Sequence, residues 1–176
     1  MMKAAFLDRD GVINNDYGYI DSWERFKFCD GIEIQLRNLI NQGFELFIIT
    51  NQSGIARGYF TEIELFKIHN KMKYELSNKG IKIKDIFYCP HHSKGIVEKY
   101  SIECNCRKPK PGLIIQATEN FMINLSESIL IGDKITDIEA GISAGVSKNF
   151  LLNNIEDFSS NSFIKLKNLQ DLNKYL

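Results

Sequence analysis

Residues 4–14 read Ala4-Ala5-Phe6-Leu7-Asp8-Arg9-Asp10-Gly11-Val12-Ile13-Asn14, and this stretch decides the fold of the chain. Its apolar start, residues 4–7, predicts a buried first β-strand. Gly11 permits a sharp exit from that strand, because glycine tolerates positive φ angles. Asp8 and Asp10 therefore follow the carboxyl end of a strand, which is where parallel α/β sheets bind ligands.

Two carboxylates this close repel each other unless a proton or a cation lies between them. Mg²⁺ suits the pair Asp8 and Asp10, since it prefers one or two carboxylates together with phosphate oxygens. Taken alone, the pair is more often a solvated turn, because acidic residues are common in this chain, at 22 of 176. The other motifs must decide between the two interpretations.

The composition is that of one globular domain, with 44% hydrophobic residues, enough for a full core. The net charge is zero, so no basic surface argues for nucleic acid. No apolar run approaches the roughly 20 residues of a membrane span, and no signal peptide is visible. We therefore expect a cytoplasmic monomer without membrane partners, whose four cysteines are thiols or metal ligands rather than disulfides.

Apolar runs alternate with helical patterns along the chain. Five runs predict strands over 4–7, 44–49, 86–88, 128–131 and 149–152. Helix start and stop signals predict helices over 30–43 with Asp30 as N-cap, 61–80 with a Thr61/Glu64 capping box, 111–122 and 136–144, and a short tail helix. This alternation predicts an α/β fold with a doubly wound, mainly parallel sheet.

No linker or internal repeat divides the chain. We therefore predict a single domain over residues 1–176, with the loop 89–112 inserted into it. Gly, Ser and Asn become frequent only near residues 153–162.

Two further strand ends carry polar residues. Thr50 follows the second strand, where its hydroxyl and the backbone N–H groups of Asn51 and Gln52 suit phosphate oxygens. An ordinary turn is the alternative. Asp133 follows the fourth strand and is placed to complete a metal site, and Asp137 one helical turn on either supports that site or stabilises the helix N-terminus.

Cations cluster before the third long helix. Residues 107–111 read Arg107-Lys108-Pro109-Lys110-Pro111, and Lys134 adds a cation beside Asp133. Phosphate bound at the helix end with a lysine clamp is one interpretation, and a solvated basic loop is the other.

The loop 89–112 contains two close pairs of metal-ligand residues. Cys89 and His91 form one pair, and Cys104 and Cys106 form the other after an interval of twelve residues. Residues two apart in an extended chain point the same way, so the four can form a closed Cys₃His zinc site. Free thiols are the alternative, and His92 could replace His91 as a ligand.

The order of these motifs resembles that of the haloacid dehalogenase-like phosphatase superfamily. The superfamily pattern is Asp-x-Asp-Gly, a strand-end Thr or Ser, a Lys, and Gly-Asp-x-x-x-Asp. The matching residues here are Asp8, Asp10, Gly11, Thr50, Lys108, Gly132, Asp133 and Asp137.

The resemblance implies a covalent mechanism. Asp8 would attack phosphorus, and Asp10 would protonate the leaving oxygen and then activate water. Mg²⁺ would be held by the Asp8 side chain, the Asp10 backbone carbonyl and Asp133. Thr50 and Lys108 would stabilise the transferring phosphoryl group.

Longer strings resemble the D-glycero-D-manno-heptose 1,7-bisphosphate 7-phosphatases, namely residues 8–14, 50–58, the Cys/His loop and 132–134. Val12 stands where that family often has Thr, a change that touches no proposed catalytic atom. Members remove the C7 phosphate and leave the C1 phosphate, which supplies heptose for lipopolysaccharide or related surface glycans.

The same resemblance assigns the sugar and the distal phosphate to one group of residues, namely Asp16, Tyr17, Gly18, Tyr19, Asn51, Gln52, Ser53, Arg107 and Lys134. No large cap insertion fits between the motifs, so the Cys/His loop is expected to form a small partial lid. Its zinc is expected to be structural and to position Arg107 and Lys108.

Two alternatives stay open. Histidinol-phosphate phosphatase belongs to the same branch, but its substrate carries one phosphate and a cationic amine, whereas Arg107 suits a second phosphate. The other is a non-enzymatic, zinc-stabilised binding module, against which the intact set of acids, Thr50 and Lys108 argues.

Overall fold

The computed structural model describes residues 1–152 and 162–176. Within these residues one parallel sheet contains the strands β1 (Ala4–Leu7), β2 (Glu45–Asn51), β3 (Ile83–Cys89), β4 (Ile129–Gly132), β5 (Lys148–Leu152) and β6 (Ile164–Leu166). Their order is β3-β2-β1-β4-β5-β6, and every neighbouring pair is parallel. This is the strand order of a doubly wound sheet, so the predicted fold class is confirmed.

Four helices connect the strands, namely α1 (Ile32–Asn41), α2 (Glu62–Asn78), α3 (Gly112–Phe121) and α4 (Ile135–Ala144). Short 3₁₀ helices lie at Glu98–Tyr100, Leu125–Glu127 and Leu169–Lys174. Alternate residues of β1 point to opposite faces: Ala5 and Leu7 pack with α1 and α2, whereas Ala4 and Phe6 pack with α3 and α4. Because helices cover both faces, the strands read as continuous apolar runs.

Three predicted boundaries are wrong. Strand β3 begins at Ile83, three residues before its predicted start. Strand β2 runs on through Thr50 and Asn51, which pair with Tyr88 and Cys89, so Thr50 lies within the strand rather than after it. The N-cap of α1 is not Asp30 but Gly31, whose φ of 77° is the left-handed conformation that glycine adopts at little cost. The Thr61/Glu64 capping box of α2 is confirmed.

The C-terminal region differs from the sequence prediction in one strand. Strand β6 extends the sheet through three residues, too few to produce a recognisable apolar pattern. The predicted tail helix is present as the 3₁₀ helix Leu169–Lys174. Residues 153–161, where the composition changes, lie outside the described residues. Among the described helices, none combines the length and apolar character that crossing a membrane requires.

The strand order places the polar strand ends together. Strand β1 lies between β2 and β4, and the chain order reverses at this point of the sheet. A crevice therefore opens at the carboxyl ends of these three strands. The backbone N–H of Asp8 donates to the carbonyl of Ile131 at 2.9 Å, which carries the pairing of β1 and β4 one residue further. Residues that follow β1, β2 and β4 therefore surround one crevice.

Two isoleucines of α1 test the assigned core face. Ile32 is 1% exposed and packs against the sheet, whereas Ile34 is 62% exposed. We expect Ile32→Ala to lower the free energy of unfolding by about 2–5 kcal/mol, since it removes buried methyl groups and leaves a cavity. Ile34→Ala should change it by less than about 0.5 kcal/mol. Urea denaturation measures both, and equal effects would contradict the assignment.

Candidate active site

Asp8 lies at the bottom of the crevice and is buried. Its Oδ1 accepts a hydrogen bond from Nζ of Lys108 at 2.7 Å. The chain turns away three residues later at Gly11, whose φ is +93°. A Cβ at Gly11 would overlap the carboxylate of Asp133. Glycine is therefore required both for the turn and for the close approach of Asp133.

Lys108 joins three parts of the site. Its Nζ contacts Oδ1 of Asp8 at 2.7 Å, Oδ1 of Asp137 at 2.7 Å and the carbonyl of Ile49 at 2.8 Å. An ammonium has three hydrogens, so each of them has an acceptor. The side-chain amide of Asn51 holds the Lys108 backbone, accepting from its N–H and donating to its carbonyl, both at 3.1 Å.

The two carboxylates that contact this lysine form a cluster with a third, that of Asp133. Ligand oxygens of Asp8, Asp133 and Asp137 all lie within 4.8 Å of one another. Burial raises the pKa of Asp8 to about 8, and burial likewise raises the pKa of Asp133 to about 6. Clustered carboxylates with raised pKa values are stabilised by a cation. The donor set consists of carboxylate oxygens, which fits Mg²⁺.

The carboxylate of Asp10 is turned toward other partners. It accepts from Nη2 of Arg9 at 2.9 and 3.0 Å, from Nδ2 of Asn14 at 3.0 Å and from Nε2 of Gln52 at 2.8 Å. Burial alone would raise the pKa of Asp10, but the Arg9 charge and these hydrogen bonds outweigh burial and lower it. The Asp10 carboxylate is thus occupied by these donors and lies outside the cluster formed by Asp8, Asp133 and Asp137. A metal role for Asp10 depends on its backbone carbonyl.

The residues after β1 and β2 are linked through Gln52. Its Nε2 contacts Oδ2 of Asp10 and Oγ1 of Thr50, both at 2.8 Å. The prediction that the Gln52 N–H holds phosphate is wrong, because that N–H donates to the carbonyl of Cys89 at 2.7 Å. The sequence analysis did not predict that the Gln52 side-chain amide joins Asp10 to Thr50. Because Gln52 lies two residues after Thr50 in an extended chain, the spacing could have indicated that the two side chains share one face.

A cleft of about 410 Å³ opens above these residues. Its lining contains eight of the nine predicted substrate residues, together with Asp10 and Lys108: Asp16, Gly18, Tyr19, Asn51, Gln52, Ser53, Arg107 and Lys134. Tyr17 is outside this lining and is 59% exposed. Thr136 also lines the cleft, and sequence reasoning did not single it out. A smaller recess that contains Asp8 and Thr50 adjoins the cleft and shares Asp10 and Lys108 with it.

Polar and aromatic contacts shape the rim of the cleft. Nζ of Lys134 forms an ion pair with Oδ2 of Asp16 at 2.9 Å. The rings of Tyr19 and Tyr59 meet edge to face with centroids 4.6 Å apart. These contacts join the loop after β1 to the segments after β4 and β2.

The predicted metal-ligand residues of the loop 89–112 lie together. The Sγ atoms of Cys89, Cys104 and Cys106 are 3.2–3.5 Å apart, and Nδ1 of His91 is 3.3 Å from Sγ of Cys106. Hydrogen bonds among the thiols lower the pKa of Cys106 to about 5. A tetrahedral zinc site with bonds of about 2.3 Å separates its sulfurs by about 3.8 Å, so the cluster fits zinc after slight expansion.

The loop is also connected to the cleft. Nη1 of Arg107 donates to the carbonyl of His91 at 3.3 Å, and Nζ of Lys110 donates to the carbonyl of Cys104 at 2.9 Å. Tyr88 and Tyr100 both donate to the carboxylate of Glu62 on α2. Hydrogen bonds from Arg107 and Lys110 thus connect the segment that lines the cleft to the backbone of the Cys/His cluster.

Comparisons with known proteins identify relatives of this chain. A family model described as HAD-hydrolase-like matches residues 105–158. The chain is 47% identical to the D-glycero-beta-D-manno-heptose-1,7-bisphosphate 7-phosphatase of Haemophilus influenzae, over 86% of this chain and 82% of that protein. It is 45% identical to the D-glycero-alpha-D-manno-heptose-1,7-bisphosphate 7-phosphatase of Photorhabdus laumondii, with the same coverage of 86% and 82%.

A solved structure is similar over nearly all of the chain. The D,D-heptose 1,7-bisphosphate phosphatase of B. bronchiseptica, complexed with magnesium and phosphate, superposes with a TM-score of 0.84 at 29% identity. The match covers 98% of this chain and 97% of that one.

The raised pKa values predict how Mg²⁺ binding depends on pH. Folding raises the pKa of Asp8 from 3.8 to about 8 and that of Asp133 from 3.8 to about 6. Between pH 3.8 and about pH 8, the folded metal-free protein therefore binds more protons than the unfolded chain. Its stability therefore falls as pH rises through the window. Mg²⁺ should raise Tm more at about pH 8 than at about pH 5.5, because fewer protons must be displaced.

Thermal melts with Mg²⁺ and with EDTA at both pH values measure this dependence. At a concentration of about 100 times Kd, one bound ion stabilises the folded state by about 2.7 kcal/mol. Asp133→Asn is the matched variant, and it should lose most of the Mg²⁺ effect. Equal Tm shifts at the two pH values would contradict the assignment of the cluster.

Proposed function

The chain belongs to the D-glycero-D-manno-heptose 1,7-bisphosphate 7-phosphatase family, and we propose that it hydrolyses the C7 phosphate of this sugar bisphosphate through an aspartyl-phosphate intermediate. One observation carries the proposal: the carboxylate of Asp8, held by Lys108 beside Asp133, faces the recess that opens into the cleft. The product is the heptose 1-phosphate.

Asp8 is the nucleophile. Lys108 orients its carboxylate through Oδ1, and we assign Oδ2 as the oxygen that attacks phosphorus. As the bond to phosphorus forms, the bond from phosphorus to the C7 oxygen breaks, and that oxygen takes a proton from Asp10. Asp10 then removes a proton from water, which attacks the aspartyl phosphate, releases phosphate and restores Asp8.

The surroundings of Asp10 suit both of its roles. The Arg9 charge and the hydrogen bonds that lower its pKa favour the carboxylate, which is the form that activates water. Substrate phosphate brings negative charge close to Asp10 and favours the protonated form, which is the form that donates to the leaving oxygen. The negative charge of the bound phosphate thus supports the change of Asp10 between its acid and base forms.

Thr50 and Lys108 stabilise the transferring phosphoryl group. Oγ1 of Thr50 accepts from Gln52, so its own hydroxyl hydrogen is directed elsewhere and can bind a phosphoryl oxygen. Mg²⁺, held by Asp8, Asp133 and the Asp10 carbonyl, would offset the negative charge of the carboxylates and the phosphate. Asp137 supports the site indirectly, because it binds Nζ of Lys108 and the N–H of Lys134.

The rim of the cleft favours a substrate with a second anionic end. Arg107 lines the cleft but not the recess that contains Asp8, so its positive charge lies away from the nucleophile. It would attract the C1 phosphate and repel the amine of histidinol phosphate. The two heptose relatives described above carry names with different anomers, so the anomer used by this chain is a matter for direct measurement.

Phosphate release in Mg²⁺ tests the proposal. Wild-type protein should turn over one anomer of heptose 1,7-bisphosphate with a kcat/KM at least about ten times that for histidinol phosphate, corresponding to about 1.4 kcal/mol. Asp8→Asn should lower kcat by about 10³-fold or more, because the nucleophile is removed, while its amide oxygen can still accept a hydrogen bond from Lys108. Faster turnover of histidinol phosphate would reverse the substrate assignment. No phosphate release by the wild type would favour a binding module.

We further propose that Cys89, His91, Cys104 and Cys106 bind a structural Zn²⁺. Four protein ligands leave no open position for substrate, which argues against a catalytic zinc. The ligands come from the end of β3 and from the loop before α3, so the ion would connect two parts of a segment that has little core of its own.

Substituting one ligand tests the zinc proposal. Cys104→Ser should lose the metal, lower Tm and lower phosphatase activity together, because the loop that presents Arg107 and Lys108 is no longer fixed. Cys29→Ser is the control, since Cys29 lies outside the cluster with its Sγ 3.5 Å from Oδ1 of Asn15. Metal analysis after chelator-free purification measures the zinc. A wild-type protein without zinc would contradict the proposal.

A further inference from the structure

Arg9 occupies an unusual place beside the proposed catalytic residues. It is 0% exposed and leads the largest fully buried side chains among the described residues. A guanidinium stays charged at any pH at which proteins fold, so its burial requires acceptors for its hydrogens. Arg9 was part of the opening motif, but its sequence position alone did not indicate burial.

Two sides of the Arg9 guanidinium have different partners. Nε and Nη2 donate to the carboxylate of Asp10, Nε at 3.2 Å and Nη2 at 2.9 and 3.0 Å. Nη1 faces Nε2 of His69 at 3.2 Å. A guanidinium is planar and rigid, so holding Nη1 also sets the direction of the two groups that bind Asp10.

His69 lies in the middle of α2 and is 4% exposed. Arg9 can only donate, so Nε2 of His69 accepts, and the neutral ring carries its hydrogen on Nδ1. The ring meets that of Tyr88 edge to face, with centroids 6.2 Å apart, and the Tyr88 hydroxyl donates to Glu62 at 2.7 Å. The ring is thereby fixed by contacts on α2 and β3.

We propose that His69 is a positioning residue for Asp10 and acts through the buried guanidinium of Arg9. The inference rests on the proposed function, in which Asp10 transfers protons at the leaving oxygen and at water. Without an acceptor at position 69, a buried Nη1 loses its partner. The guanidinium then shifts to find another one, and the Asp10 carboxylate shifts with it. His69 itself touches neither substrate nor Mg²⁺ in this arrangement.

Leaving-group dependence distinguishes this role from ordinary packing. Heptose bisphosphate releases an alkoxide that needs a proton from Asp10, whereas p-nitrophenyl phosphate releases a weakly basic phenolate that needs little help. The quantity kcat/KM reports the first irreversible step, which is transfer of the phosphoryl group to Asp8. A misplaced acid therefore lowers kcat/KM for the sugar substrate more than for the aryl substrate.

The test compares His69→Leu, His69→Gln and His69→Asn. Leu has no acceptor, and the acceptor of Asn lies too close to the backbone to reach Arg9. Gln places an oxygen near the position of Nε2 and should rescue the loss. Leu76→Ala is the matched control, because Leu76 is buried on the same helix two turns away and packs into the apolar core.

We expect His69→Leu and His69→Asn to lower kcat/KM for heptose bisphosphate by about tenfold or more, part of the gain that a positioned acid supplies. The loss for p-nitrophenyl phosphate should stay below about threefold, and KM for the sugar should change little. His69→Gln should recover most of the loss. Leu76→Ala should lower Tm while leaving the ratio of the two kcat/KM values unchanged.

Other outcomes would overturn the proposal. If His69→Leu lowers kcat/KM equally for both substrates, so that the ratio of the two values stays at that of the wild type, His69 serves packing alone. Should His69→Leu fail to fold, His69→Asn and His69→Gln still give the ratio. Failure of the proposed function is seen separately, because the wild type would then release little or no phosphate from heptose bisphosphate, whatever its activity on p-nitrophenyl phosphate.

Discussion

The contact between Lys108 and Asp8 is the interaction on which the arrangement of the site depends. One buried ammonium binds the carboxylate after β1, the carbonyl of Ile49 in β2 and the carboxylate of Asp137 in α4. These acceptors come from three separate elements, so the lysine connects the two sides of the crevice. Its own backbone is held by Asn51 at the end of β2. A charge buried in this way is stable only with all its partners in place, which makes the site rigid.

Two acids that are two residues apart acquire opposite properties from their surroundings. Asp8 is buried beside two further carboxylates, and burial raises its pKa to about 8. Asp10 faces Arg9 and two amide donors, and its pKa is lowered. These shifts apply to the metal-free site, and a bound Mg²⁺ would lower the pKa of Asp8 again and favour the carboxylate that acts as nucleophile under the proposed function. The environment follows from which neighbouring element each side chain reaches.

Under the proposed function, the Cys/His loop and the rim of the cleft serve recognition rather than proton transfer. The ligand cluster brings together chain segments about 15 residues apart and fixes the backbone that carries Arg107. The ion pair between Lys134 and Asp16 closes the other side of the cleft. Within residues 1–152 and 162–176 the site is therefore bounded by short connections and one loop, without a large cap.

Local patterns determined the fold class and most of the site. Apolar runs that alternate with capped helices specify a doubly wound sheet, because each run must be covered on both faces. The motifs at the strand ends then meet at one edge, since parallel strands align their carboxyl ends there. The spacing of the four Cys and His residues likewise sufficed to predict their cluster, which depends on a short stretch of extended chain.

Only the tertiary structure decided what each polar side chain contacts. Residue spacing does not reveal that the Asp10 carboxylate turns away from Asp133 toward Arg9, or that the Gln52 N–H is used by Cys89. It also does not reveal that His69, sixty residues along the chain, meets Arg9. Such contacts depend on distances between elements that are remote in sequence, and they form wherever a buried polar group must find a partner.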